Sequence, residues 1–174
     1  MTEKQRYPRE AALVVAKELV EMLRPYSERI AISGSICRGR PDVGDIEILA
    51  IPQPFGVFEF GCHKLLEDGV WEKRPDIRGL FSYGPKNKYL RHRESGIPVD
   101  VFTSTVENFG MASMVRTGPA EWCVKFMALL KALGTPGHAY AGITDADGVM
   151  HDCPDEETVF RFLGWDFVTP ERRG

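Results

Sequence analysis

The stretch that most narrows the fold is Ile32 to Ala50, ISGSICRGRPDVGDIEILA, because its second half is an apolar strand with carboxylates at its mouth. Asp45 and Glu47 stand two apart in Asp45-Ile46-Glu47-Ile48-Leu49, and residues so spaced on a strand face the same way. A lone charge on a core strand is costly unless something pairs with it. Asp100 repeats the pattern on a later apolar run, Val99-Asp100-Val101-Phe102. Two such strands side by side would bring three carboxylates together, and a dication relieves their repulsion better than a nearby lysine. Hard oxygen ligands with room for substrate phosphates point to magnesium or manganese.

The turn ahead of these acids suits the other end of a substrate. Gly34 lets backbone amides approach a phosphate closely, Ser35 donates a hydroxyl, and a helix starting there offers N–H groups. Arg38 falls one turn into that helix, where a guanidinium clamps phosphate oxygens, and Gly44 leaves space beside Asp45. A nucleoside triphosphate bound this way has its α-phosphate at a two-metal centre. One metal activates an attacking hydroxyl and the other stabilises the pyrophosphate that leaves. The reaction class is nucleotidyl transfer.

Periodicity supplies the frame. Pro8 opens a helix whose apolar positions, Ala11 through Leu23, run to Pro25. Strands are expected over 29–33 and 45–51, with a brief helix between them that Pro41 and Gly44 break. A helix over 59–68 ends at Gly69, and strands are expected at 70–71, 80–83, 87–93 and 97–103. From Val106 the pattern is helical, interrupted at Thr117-Gly118-Pro119 and resumed over 120–133. After a Gly- and Pro-rich loop, Pro154 is expected in the first turn of a last helix that stops at Gly164. The fold class is α+β, a mixed sheet with helices on one side giving way near Thr105 to a small, mostly helical lobe.

Charge and cysteine content exclude several classes. The net charge of −3 argues against a general nucleic-acid binder, but its distribution is uneven. Residues 1–104 hold 16 Lys+Arg against 15 Asp+Glu, whereas residues 105–174 hold 6 against 10. Lys73, Arg74, Arg78, Lys86, Lys88, Arg91 and Arg93 face only Asp76 within their stretch, a local basic face. Cys37, Cys62, Cys123 and Cys153 show no Cys-x-x-Cys spacing, so neither a disulfide scaffold nor a zinc ribbon is indicated. Cys62-His63 and His151-Asp152-Cys153 match no standard metal pattern. The polar N terminus argues against a signal peptide, and no apolar run reaches membrane-spanning length. A cytoplasmic monomer is expected, or one located with DNA in a nucleoid or nucleus, neither secreted nor in a membrane.

The ordered set Gly-Ser, Arg-Gly, Asp-x-Glu and a later strand Asp resembles the nucleotidyltransferase superfamily. SGSICRGRPDVGDIEIL resembles the palm motif of family X DNA polymerases, the polymerase beta type, and FSYGPKNKYLRHRESGIPVDVFTSTVENFG their later palm strands. VRTGPAEW is similar to the Thr-Gly turn between palm and thumb, and EETVFRFLGWDFVTPERR to the closing thumb segment. The resemblance implies a palm over 1–104 and a thumb-like subdomain contacting nucleotide and DNA over 105–174. It implies that Asp45, Glu47 and Asp100 hold two Mg2+ ions, for which Mn2+ substitutes, with Asp100 receiving or orienting the proton of the primer 3′-hydroxyl. Gly34, Ser35, Arg38, Gly44, Arg116, Thr117 and Gly118 would meet the nucleotide, and Lys86 or Lys88 a template phosphate. The partners implied are a nucleoside triphosphate and primer–template or gapped DNA, in short-patch repair synthesis.

Departures from that pattern matter. Glu47 replaces the usual second aspartate, and Pro98 stands where an arginine often orients the third carboxylate. Val115-Arg116 replaces an aromatic pair that packs on the incoming sugar, so Arg116 is expected on ribose, base or phosphate. Ala120 and Cys123 lack the usual polar groups facing the base. No helix-hairpin-helix segment precedes the palm, so lyase activity and a grip on downstream DNA are expected to be absent. The acidic second half weakens duplex binding, making it salt-sensitive or dependent on an assisting protein. The competing readings are a template-independent terminal transferase, a transferase acting on RNA, a small molecule or a protein, and a nucleotide-binding module without catalysis.

Overall fold

The computed structural model describes residues 5–76 and 78–173, which divide between Thr103 and Ser104 into two compact units. The first unit is built on a five-stranded mixed sheet. Its strands are β2 (Ser27–Ser33), β4 (Ile46–Pro52), β5 (Trp71–Lys73), β6 (Asn87–His92) and β7 (Pro98–Thr103). They lie in the order β2-β4-β7-β6-β5, with β4 and β7 parallel and every other pair antiparallel. A two-residue pairing joins β1 (Tyr7–Pro8) to β3 (Asp42–Val43) and closes the loop that the sequence left irregular.

Three helices belong to this unit: α1 (Arg9–Leu23), the single turn α2 (Gly34–Cys37) and α3 (Val57–Glu67). α1 starts directly after Pro8, whose fixed φ suits a helix entry, and its Ala12, Ala16, Leu19, Val20 and Leu23 are buried. They pack with Phe58, Cys62 and Leu65 of α3 against Ile46, Ile48, Ala50, Leu90, Val99 and Val101 of the sheet. Alternation along the strands thus gives one face to the helices and leaves the other to Glu47, Asp100 and Tyr89. Of the expected strands, 80–83 is absent: that stretch makes only isolated bridges, Pro75 with Phe81 and Tyr83 with Lys88. Asp76 shapes it instead, accepting from Arg78 N at 2.8 Å and Leu80 N at 2.9 Å. Those backbone donors hold the Asp76 carboxyl below its ordinary range.

The second unit carries α4 (Phe109–Thr117), α5 (Ala120–Ala132) and α6 (Glu156–Phe162), with the Gly118–Pro119 peptide cis. Where the sequence suggested only a loop, β8 (Gly137–His138), β9 (Gly142–Thr144) and β10 (Met150–His151) make a small antiparallel sheet. Its core joins Met111, Met114, Phe126, Leu130, Ile143, Val159 and Phe160. Asp155, rather than Pro154, sets the start of α6: its Oδ1 accepts from Thr158 N at 2.7 Å as an N-cap. Among the described residues, no helix is long and apolar enough to cross a membrane.

Candidate active site

Sheet register explains the acids on apolar strands. Glu47 pairs with Asp100 across β4 and β7, Ser33 of β2 pairs with Glu47, and Tyr89 of β6 pairs with Asp100. Ser33, Glu47, Asp100 and Tyr89 therefore form one row across four strands, on the face turned away from the helices. Asp45, just before β4, lines a cleft of about 460 Å³ together with Arg74, Arg78, Tyr89, Pro98 and Asp100. The carboxylates that looked misplaced in the sequence belong to this open face.

Arg74, noted in the sequence only as one cation of the basic face, lines the cleft and is bonded to Asp100. It follows β5, and its backbone N–H bonds Tyr89 O at 3.0 Å. Its guanidinium donates from Nε to Leu90 O at 2.9 Å and from Nη1 to Pro75 O at 3.2 Å, and it lies 5.4 Å from the Tyr89 ring centroid. The remaining nitrogen, Nη2, donates to Asp100 Oδ1. Both side chains are mostly shielded, Arg74 16% and Asp100 15% exposed. The two residues are far apart in sequence, beyond any local periodicity.

Gly34 is required by Glu47. The residue sits at φ +72°, and a Cβ there would collide with Glu47 Oε2. Only glycine lets that carboxylate lie over the turn. The three acids thus occupy neighbouring positions, Asp100 bonded to Arg74 and Glu47 lying over Gly34. Among the described residues no group of three His, Cys, Asp or Glu is arranged to hold a metal ion, so the expected convergence is not met by the side chains as they stand. The donor set still suits a hard cation. Its members are carboxylate oxygens at the mouths of adjacent strands, and the buried Ser33 Oγ in the same row has no hydrogen-bond partner.

The turn after β2 carries three of the expected nucleotide-site residues and has Arg9 bonded to it. Ser35 lies in α2, Arg38 caps its end with its N–H on Gly34 O at 3.3 Å, and Gly44 is buried beside Asp45. A one-turn helix carries little dipole, so its N terminus alone makes no anion site. Arg9, the first residue of α1 and not singled out in the sequence, donates from Nε to Ile36 O at 3.0 Å and so stands beside the same turn.

The structure corrects the pairing of Lys86 with Lys88. Lys86 is exposed, whereas Lys88 is fully buried, its Nζ 2.8 Å from Glu59 Oε2 and 2.9 Å from Gly84 O. On β6, Lys88 shares the inward face with Leu90, and this alternation was the available signal. Lys88 thus leaves the basic face and cannot meet a phosphate as placed. Arg116, Thr117 and Gly118 end α4 in the second unit, where Arg116 Nη2 donates to Tyr140 Oη at 2.9 Å and Thr117 and Gly118 are buried. Cys62 and Cys153 are buried free thiols, while His63 is exposed beside Glu67, and among the described residues these side chains belong to no metal-holding group.

Comparison with known proteins places the fold. A crystal structure of Leishmania infantum polymerase beta, titled as a ternary P/T complex, is similar at a TM-score of 0.80 and 17% sequence identity, covering 98% of this chain and 77% of that one. No family model and no curated protein sequence matches. The chain thus has a polymerase beta-like nucleotidyltransferase fold, a mixed five-stranded sheet with helices.

Proposed function

We propose that the protein is a nucleotidyltransferase that adds a deoxynucleoside monophosphate to the 3′-hydroxyl of a DNA primer, in short-patch or gap-filling synthesis. The observation that carries this reading is the pairing of Glu47 with Asp100 on parallel neighbours, with Asp45 at the mouth of the same cleft and the Gly34 turn beside it. Asp45, Glu47 and Asp100 would hold two Mg2+ ions, or Mn2+ in their place. When bound, these ions would lower the pKa of the acceptor hydroxyl and stabilise the pyrophosphate that leaves.

The chain's own groups divide the remaining work. Asp100 orients the acceptor hydroxyl and takes up its proton. Ser35 and Arg38 hold the β- and γ-phosphates, Arg9 adds a guanidinium beside them, Gly34 leaves room for Glu47 over the turn, and Gly44 leaves space beside Asp45. Arg116 and the Thr117-Gly118 turn contact the sugar or base, and Lys86 meets the template strand.

A second reading gains from the charge. With Lys88 buried against Glu59, the basic face loses a cation, and residues 105–174 are net acidic. Duplex binding depends on phosphate neutralisation, so a free 3′ end, an RNA, a small molecule or a protein hydroxyl is the alternative acceptor. Primer extension with Mg2+ or Mn2+ separates the two, using a labelled single strand, a primer–template and a gapped duplex with single dNTPs or rNTPs. Templated addition alone supports the polymerase, and indiscriminate addition to the single strand supports a terminal transferase. Asp45→Asn should abolish transfer in either case, and undiminished activity in that variant would remove the site assignment.

A further inference from the structure

We infer that Arg74 is a positioning residue that sets the orientation in which Asp100 meets metal and acceptor, an inference that rests on the nucleotidyl-transfer reading above. Its guanidinium is itself held. Nε and Nη1 are bonded to the main-chain oxygens of Leu90 and Pro75, and the Tyr89 ring lies beneath it. A fork fixed at two nitrogens presents the third, Nη2, at one place, and Asp100 Oδ1 is bonded there. Carboxylates that serve a cation are commonly oriented by partners outside the ligand set, and losing such a partner typically lowers metal affinity or activity about 10–100-fold.

The arrangement ties the third acid to the edge of the sheet. Arg74 leaves the end of β5, the outermost strand, and crosses β6 to reach β7. Pro98, on the same strand face as Asp100 and lining the same cleft, has no donor that could do this from β7 itself. Arg74 lines that cleft too, so its grip on Asp100 faces the space a substrate would fill rather than the core. Lysine in its place would keep the charge but not the fork.

The test uses the full chain and a cycle of Arg74→Lys, Asp100→Asn and the double variant, reading Mn2+ binding by electron paramagnetic resonance without nucleotide. Primer extension is read in parallel. Arg74→Lys should weaken Mn2+ binding and lower kcat by about 10–100-fold each, with nucleotide KM within about threefold. In the Asp100→Asn background, the same change should alter Mn2+ binding by less than about threefold, because Arg74 acts through Asp100. Wild-type Mn2+ affinity in Arg74→Lys, an effect that persists without the Asp100 carboxylate, or a loss confined to nucleotide KM would each overturn the inference. The Mn2+ cycle does not depend on turnover. A wild-type chain that binds Mn2+ through this cycle but transfers nothing would sink the transferase reading while leaving the role of Arg74 intact.

Discussion

Arg74 with Asp100 in the first unit and Arg173 with Glu156 in the second are built from the same parts and serve different ends. Each is an arginine bonded to an acid through Nη2, to main-chain oxygen through Nε, and stacked near aromatic rings. Arg173 is wholly enclosed by Trp122, Phe160 and Phe167, and Glu156 is further held by Ser113 Oγ at 2.6 Å. Arg74 and Asp100 instead line an open cleft. A grip sealed in an aromatic box fastens a chain segment. One facing a cleft holds a carboxylate that stays open to the solvent on that side. Burial of the pair alone does not separate these roles; what lies on its open side does.

The sharpest test of the contrast is stability. Arg173→Ala would leave the Glu156 carboxylate without its partner in a closed environment, and breaking such a pair typically costs about 3–5 kcal/mol. Arg74→Ala should cost less, about 2 kcal/mol, because both side chains are shielded but line a cleft that can admit water to Asp100 once the guanidinium is gone. Urea unfolding followed by circular dichroism measures both. Equal losses would make Arg74 a structural residue and erase the distinction.

Gly34→Ala should come next. An alanine there adopts a left-handed conformation, costing about 1–2 kcal/mol, and its methyl collides with the Glu47 carboxylate. Stability should fall by about 2 kcal/mol and Mn2+ binding should fall with it, since Glu47 must move. A variant that loses stability but binds Mn2+ as the wild type does would show that Glu47 is not a ligand.

The two grips also differ in how far the sequence announced their surroundings. Pro8 marked the start of α1, Gly34-Ser35 marked the turn, and the strand from Asp45 was legible, because each rests on local chemistry: a fixed φ, a positive φ, an alternation. The row of Ser33, Glu47, Asp100 and Tyr89 was half legible, its acids in view and their register not. Lys88 was readable in retrospect, since alternation with Leu90 turns it inward. The partnership of Arg74 with Asp100 was not readable, because sheet order decides it. The three strands of the second unit, β8 to β10, are two or three residues long and offer no period to detect.

A third ion pair extends the comparison at lower stakes. Lys88 is fully buried, but Glu59 is 43% exposed and solvent screens it. Glu59→Gln should therefore cost about 1–2 kcal/mol, less than the sealed Arg173 pair and about as much as the open Arg74 pair. Chemical denaturation measures this, and a loss near that of Arg173→Ala would mean that the enclosure of one partner alone sets the cost.

Cys62 provides the finest probe, since it lies in the core beside this third pair and its thiol reports opening without unfolding the chain. Burial pushes its pKa from 9.0 up to about 12, while the nearby Lys88 charge works in the opposite direction. A thiol shifted that far is about 10³-fold less ionised at pH 8 than an ordinary one, and the thiolate is what alkylates. Cys62 should thus resist iodoacetamide at pH 8. Its folded pKa lies above the unfolded value, so the folded state holds the proton longer. This contribution to stability is intact below about pH 9 and declines as pH rises toward about 12. Arg74→Ala should leave the alkylation rate of Cys62 unchanged, because Arg74 faces the cleft, whereas Glu59→Gln should raise it by loosening Lys88. Mass spectrometry of timed samples reads both rates. Faster labelling of Cys62 in Arg74→Ala would show that the cleft and the core open together, and the grip on Asp100 would then belong to the scaffold as much as to the site.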